Sequence, residues 1–348
     1  MHVKSNSSNI YLENGYCNVG GILDLGMPFT IIIGGRGTGK TYTALKTCRE
    51  RKLNTLILRR TQQQVDVISR KAMSPWKSVA NDEHFDFAVN PASKGLYEVN
   101  EVDNEGNVIC TLSYITALST ISNLRGFDSS DIDIIVYDEF IPESHERPLK
   151  RESDALLNAY ETINRNRELS GKPPVKLLMM ANANRLDSPI LMGLGLTNKI
   201  EGMIKKHQMY SVLPERGVTI VLLQDSPISE KKAETALYKL VKGTQFADMA
   251  ISNNFSYSDT SNVISRPLQG FTPLFSFDDV TIYENKAEGT LYCSAHKSGA
   301  PKQYTTTSDE SLKRLQNDAF FMTLNILANN VEYESYEIKA KVINIFLA

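Results

Sequence analysis

The stretch Phe29–Thr47, FTIIIGGRGTGKTYTALKT, limits what this chain can fold into more than any other segment. Gly34-Gly35-Arg36-Gly37-Thr38-Gly39-Lys40-Thr41 fits G-x-x-x-x-G-K-[ST] at every fixed position. An apolar run precedes it, and a helical pattern, YTALKTCRERK, follows. The glycines let the backbone curl until successive amides face one centre, and the helix start adds partial positive charge there. Lys40 is then expected to reach the β- and γ-phosphates of a bound ATP, and Thr41 to place its hydroxyl on Mg²⁺. The alternative is a glycine-rich turn carrying a surface lysine. A loop of this kind sits between a strand and a helix, so the expected fold is α/β, a P-loop NTPase domain on a mainly parallel sheet.

The rest of the first two thirds supplies such a sheet. NTLILRR, DIDIIVYDEF, VKLLMMANAN and GVTIVLL are short apolar runs suited to strands covered on both faces. Between them, SDALLNAYETINRNREL has helical spacing, with Leu156, Leu157, Tyr160 and Ile163 able to share one face. In GLYEVNEVDNEGNVICTLSYI, Asp103, Asn104, Glu105 and Gly106 separate two alternating runs, which predicts a β hairpin. At 348 residues the chain exceeds one ordinary core. Its character changes after Leu223. The expected division is a P-loop ATPase domain over 1–224, a helical linker over 225–258 and a small α+β domain over 259–348. In the last, GFTPLFSFDDVTIYEN and GTLYCSAH read as strands joined by KAEG, followed by a helix around SLKRLQNDAFFMTLNILAN and a final strand.

A nucleotide loop needs an acid at the end of a neighbouring strand, and IDIIVYDEF offers two. Asp138 would hold the Mg²⁺ shell and Glu139 would polarise the attacking water, a pairing that separates hydrolytic ATPases from many simple kinases. Alone, the same residues are equally a strand running into an acidic turn. Asn182 ends KLLMMANAN, where it could sense the γ-phosphate or serve as an ordinary turn asparagine. Arg165 and Arg167 lie on or just past a helix, as a solvated pair or as an arginine finger for a neighbouring subunit's ATP.

The net charge is −2, so contact with nucleic acid must come from a local basic surface. Lys46, Arg49, Arg51, Lys52, Arg59 and Arg60 cluster in sequence; they form either a phosphate-tracking surface or a solvated helix face. Gln62, Gln63 and Gln64 could bear on adenine or DNA, and Arg36 on phosphate or Glu139. The four cysteines are far apart and contain no C-x-x-C pair, which fits a reducing cytosol rather than zinc or disulfides. No apolar run is long enough to span a bilayer.

Taken together and in order, IIIGGRGTGKTY, LILRR, IIVYDEFIPE, LLNAYETINRNRE, MMANAN and KGTQFADMAISNNF resemble the DNA-encapsidation ATPases of small short-tailed bacteriophages, relatives of terminase large subunits. The resemblance runs over roughly residues 29–258. It implies an ASCE-type ATPase that assembles as a homo-oligomeric ring, with five subunits in such motors. That ring docks on the portal of a procapsid in the host cytoplasm and drives double-stranded DNA inward. It also implies roles: Lys40 and Thr41 as the Walker A pair, Asp138 and Glu139 as the Walker B acids, Asn182 as the coupling residue and Arg165 as the trans-acting finger. Some relatives use a packaging RNA.

Two other readings compete: a terminase that also cuts DNA, and a P-loop switch with little turnover. Terminase nucleases gather carboxylates from separate strands around two metal ions. Asp278 and Asp279 sit next to each other on an expected strand and would point to opposite faces, so no nuclease activity is expected.

Overall fold

A computed structural model of the chain describes residues 10–124, 129–143, 146, 149, 151–183, 185–224, 226–244, 260–297 and 299–347. The chain divides into two compact units, Met1–Leu194 with Gly202–Tyr257, and Gly195–Glu201 with Ser258–Ala348.

The first unit is built on a nine-stranded sheet. Its strands are β1 (Phe29–Gly34), β2 (Thr55–Arg59), β3 (Asp86–Ser93), β4 (Leu96–Val102), β5 (Val108–Ala117), β6 (Ile134–Asp138), β7 (Lys176–Ala181), β8 (Tyr210–Leu213) and β9 (Val218–Leu223). The order is β3-β4-β5-β2-β6-β7-β1-β9-β8. The six strands from β5 to β9 in that order run parallel, while β3 with β4 and β4 with β5 at one end, and β8 with β9 at the other, pair antiparallel. Strand β7 therefore stands between the P-loop strand β1 and the acid-bearing strand β6, the interposed strand that the ASCE expectation demands.

The apolar runs are continuous because both faces of this sheet are covered. On one face, Ile32, Val136, Leu178, Met180 and Val221 pack with Val19 and Ile22 of α1 (Val19–Leu23) and with Ala44 and Cys48 of α2 (Lys40–Glu50). The alternate residues Ile31, Ile33, Ile135, Tyr137 and Met179 are buried as well. A second cluster seats Val65 of α3 (Gln62–Ile68) and Trp76 and Val79 of α4 (Trp76–Glu83) against Ile57, Val99 and Ile115. Trp76 keeps its polar edge satisfied by donating from Nε1 to Ser113 Oγ at 2.9 Å.

Helix α5 (Glu152–Asn164) starts on a buried ion pair. Glu152 Oε1 accepts from Arg60 Nε at 2.7 Å and from the Tyr137 hydroxyl at 3.2 Å; Arg60 also meets Glu146 at 3.0 Å. Arg60 is 1% exposed and Glu152 is fully buried, so truncating Arg60 leaves the Glu152 charge in the interior without its cation. Arg60→Ala is expected to destabilise the first unit by about 3–5 kcal/mol, read by denaturant unfolding. A loss below about 1 kcal/mol would show the pair to be replaceable by solvent.

Several local expectations change in the structure. The Asp103–Gly106 hairpin is present, but β3 adds a third antiparallel strand, and β8 extends the far edge. Leu157 is exposed while Leu156 and Ile163 are buried, so the apolar face of α5 is narrower than its sequence spacing allowed. After α6 (Pro189–Gly193) and α7 (Thr197–Lys205), the linker sequence forms α8 (Pro227–Ala233) and α9 (Ala236–Leu240). Most of KGTQFADMAISNNF lies outside the described residues.

The second unit holds a five-stranded sheet, β13-β10-β11-β12-β14, from β10 (Thr272–Phe277), β11 (Val280–Asn285), β12 (Thr290–Ser294), β13 (Gln303–Tyr304) and β14 (Val331–Tyr333). Its core joins Phe275, Phe277, Ile282 and Cys293 to Leu315, Met322, Ile338 and Val342 from three helices, Asp309–Asp318, Phe321–Leu327 and Tyr336–Phe346. GFTPLFSFDDVTIYEN is thus two strands, not one. Phe277 pairs with Val280 across a two-residue turn made by Asp278 and Asp279, and Asp278 takes a left-handed φ of 46° that aspartate tolerates in tight hairpins. The expected single helix is broken in two, and the chain ends in a helix after the short final strand.

Candidate functional site

The carboxyl ends of β1, β7 and β6 lie side by side, and the loops leaving them carry the expected chemistry. After β1 the backbone curls through Gly37 (φ 75°) and Gly39 (φ 77°), the latter being the N-cap residue just before α2. A side chain at Gly39 would be strained in that conformation, and its Cβ would stand 2.6 Å from the Tyr16 ring. At Gly34 a Cβ would come within 2.5 Å of Leu223 on the paired strand β9, so the loop also needs a bare residue where it leaves the sheet.

Lys40 is folded into this loop. Its ammonium donates to the carbonyl oxygens of Gly34 at 2.9 Å and Gly35 at 2.8 Å, with Thr38 Oγ1 and Asn182 Oδ1 each at 3.4 Å. Burial pushes its pKa down to about 8, against the opposing pull of Asp138. Thr41 Oγ1 donates to Asp138 Oδ2 at 2.8 Å, joining residues 97 apart in sequence. A hydroxyl and a carboxylate oxygen so close are hard donors that suit Mg²⁺, which keeps most of its shell for phosphate and water. Among the described residues no group of three or more His, Cys, Asp or Glu is placed to hold a metal by itself.

Glu139 follows β6 with a left-handed φ of 58° and a side chain 54% exposed. It and Asp138 are bridged by a residue the sequence reading assigned elsewhere. Arg59, at the end of β2, puts Nη2 2.9 Å from Asp138 Oδ2 and Nη1 2.6 Å from Glu139 Oε2. The side chain is nearly buried and its Nε has no partner among the described residues. The signal was present in NTLILRR: an arginine closing a buried parallel strand lies at the sheet end where such folds bind ligands.

Most of the basic cluster is held in ion pairs within the chain. Arg59 belongs to the acid pair and Arg60 to Glu152. Arg49 pairs with Glu101, Arg51 with Asp24, and Lys46 with Glu83 and Glu50. Of the glutamines, Gln64 caps α3 and Gln62 bonds Asp66. Arg36 is exposed at the cavity mouth, where it pairs with Glu143 on the segment after β6 rather than with Glu139. Arg167 donates to the carbonyl oxygen of Ile132, which ties it to the base of β6. Arg165, exposed at the end of α5 with φ 47°, does not line the cavity formed by the loop. That cavity, about 350 Å³, is bounded by the loop residues from Arg36 to Thr41 together with Tyr42, Asp138, Glu139, Ala181 and Asn182.

The chain resembles known proteins. The profile of the podovirus DNA encapsidation protein (Gp16) matches residues 14–315. A DNA packaging protein of Bacillus phage phi29 is 25% identical over 193 residues, covering 52% of this chain and 52% of that protein. The chain thus spans about half the length of that curated relative. A DNA packaging protein of Bacillus phage B103 is 24% identical over 289 residues, covering 80% of this chain and 81% of that protein. Among solved structures, a chain of the bacteriophage Phi-29 viral genome packaging motor assembly superposes with a TM-score of 0.65 at 17% identity, covering 95% of this chain and 98% of that one. At that identity the likeness is one of fold.

Proposed function

The chain belongs to the podovirus DNA encapsidation protein (Gp16) family, and from that premise we propose that it is the ATP-hydrolysing motor that drives double-stranded phage DNA through the portal into a procapsid. The observation that carries this reading is the 2.8 Å contact from Thr41 to Asp138, with Lys40 and Glu139 beside it. Three strand ends converge there on one cavity.

In this reading the P-loop amides and Lys40 hold the phosphates. Thr41 and Asp138 would hold Mg²⁺, which would supply positive charge to neutralise the phosphates. Glu139 orients the attacking water and accepts its proton. Arg59 holds Glu139 through Oε2, which leaves Oε1 to accept from the attacking water. Asn182 reports the γ-phosphate, a role that its 3.4 Å approach to the Lys40 ammonium supports. Arg165 serves a neighbouring subunit in a ring. The working parts are an ATPase domain over 1–224, a helical linker over 225–258 and a C-terminal domain over 259–348. Partners are DNA, the portal, further copies of the chain (five by resemblance) and, as in some relatives, a packaging RNA, in the host cytoplasm.

ATPase rate against protein concentration, with and without DNA and procapsids, tests the motor. Turnover per subunit should rise as rings form and rise again with DNA. A slow rate indifferent to all three would favour a nucleotide switch instead.

The C-terminal domain is proposed to lack nuclease activity. The Asp278 carboxylate accepts from the Thr305 hydroxyl and the Thr306 backbone, and Asp279 pairs with Lys341 at 2.7 Å, so both acids are spent on local structure. Supercoiled plasmid incubated with the protein and Mn²⁺ or Mg²⁺ should stay uncut. Nicking that vanishes in Asp278→Ala but survives Lys40→Ala would restore the nuclease-bearing reading.

A further inference from the structure

Helix α8 brings to the P-loop a cation that the loop's own pattern does not contain. The Lys232 ammonium donates to the carbonyl oxygen of Arg36. Its Cε lies 3.2 Å from where a Cβ on Gly37 would stand, so the side chain crosses the crest of the loop. The helix is pinned there from behind. Ser226 Oγ donates to the Gly15 carbonyl oxygen at 3.4 Å, Gly15 abuts Pro227 and Ile228, and the Cys17 amide bonds the Thr38 carbonyl oxygen at 2.8 Å.

Three cations, Arg36, Lys40 and Lys232, thus surround one glycine-rich turn. Arg36 has a carboxylate partner in Glu143. Lys232, among the described residues, has a backbone carbonyl and the face of Tyr238, 5.1 Å from its ammonium, but no carboxylate. Its charge also reaches Lys40, adding to the larger effect of burial in lowering that group's pKa. Gathering like charges raises the energy of the empty loop and favours an anion within it.

We propose that Lys232 is a ligand of the nucleotide's polyphosphate, supplied in cis by the linker rather than by the P-loop. The inference rests on the reading of the cavity as an ATP site. Lysine is a point charge on a flexible four-carbon stem, so the ammonium can pass from the Arg36 carbonyl to a phosphate oxygen without displacing the helix. The charge-assisted bond it gains is stronger than the neutral one it leaves. Because α8 begins the segment that leads out of the ATPase domain, an occupied site holds that segment more firmly than an empty one.

Two readouts that need no turnover test this: binding of a fluorescent ADP or a non-hydrolysable ATP analogue, and amide hydrogen exchange over residues 226–240. Lys232→Met should weaken analogue binding by about 10–100-fold, as expected for losing a hydrogen bond between charged groups. Lys232→Arg should recover most of it, and Lys231→Met, at the exposed neighbouring position, should bind like wild type. Nucleotide should slow exchange across α8 in the wild type but not in Lys232→Met at saturating nucleotide. Should Lys232→Met lose its helical circular dichroism, Lys232→Gln carries the same comparison. Unchanged affinity, or equal protection of α8 in the variant, overturns the proposal. A wild-type protein that binds no nucleotide would sink the ATP-site reading itself, whereas normal binding that ignores Lys232 sinks this inference alone.

Discussion

Glu139→Gln should bind ATP about as tightly as wild type and hydrolyse it about 10²–10⁴-fold more slowly, the usual contribution of a positioned base. The substitution keeps the size of the side chain and leaves an oxygen that can accept from Arg59, but an amide cannot take the proton of the attacking water. It also leaves Asp138, Thr41 and Lys40 as they are, so the phosphate and metal contacts survive. Lys40→Ala is the opposite experiment. It removes the ammonium that now satisfies the carbonyl oxygens of Gly34 and Gly35, and with it the cation expected on the β- and γ-phosphates. That variant should fail to bind. Equilibrium binding of labelled nucleotide separates the two from each other, and single-turnover hydrolysis gives the rate loss. Glu139→Gln turning over at the wild-type rate would remove Glu139 from the chemistry and leave its contact with Arg59 as a surface ion pair.

Arg165→Ala should bind nucleotide normally and lose about 10³–10⁵ in turnover, the range for an arginine finger. The argument starts from α5. Its first residue, Glu152, is locked into the interior by Arg60 and Tyr137, so the helix is a rigid strut. At its far end the backbone turns out of helical geometry at Arg165, and that side chain is exposed and does not line the cavity of its own subunit. Arg167, two residues on, is held at Ile132 and cannot take its place. A finger in trans makes a further demand that a structural role does not. Rings mixed from Arg165→Ala and Glu139→Gln subunits should regain activity, because some interfaces then combine an intact base with an intact arginine. No recovery at any ratio, in rings shown to mix, would assign Arg165 a role within its own subunit or none.

The parts of this protein legible from sequence are those written in local chemistry. The glycine spacing from Gly34 to Gly39 needs no distant residue to be understood, since left-handed φ at Gly37 and Gly39 is a property of the turn itself. Strands β1, β2, β6, β7 and β9 were visible because a doubly covered sheet requires unbroken apolar runs. The edge strands β3 and β8 and helices α3 and α4 were not, because a short half-exposed element has no strong period to show. In the C-terminal domain the same ambiguity hid a hairpin: Asp278-Asp279 inside an apolar run looks like a strand until Phe277 is seen to pair with Val280.

Sequence alone therefore determined the fold class, the glycine loop pattern and which acids stand at the end of β6, because each is written in one contiguous stretch. Tertiary structure alone decided where the arginines go. Arg59 and Arg60 are adjacent in a basic stretch and read as a surface, yet successive residues at a strand end point to opposite sides. One met Asp138 and Glu139 and the other met Glu152, residues 79 to 92 positions away. Lys232 reached the P-loop across 196 positions in the same manner. A charge carries no local record of its partner. Burial makes an unpaired charge so costly that the fold must supply one, and which one it supplies depends on how strands and helices far apart in the chain are brought together.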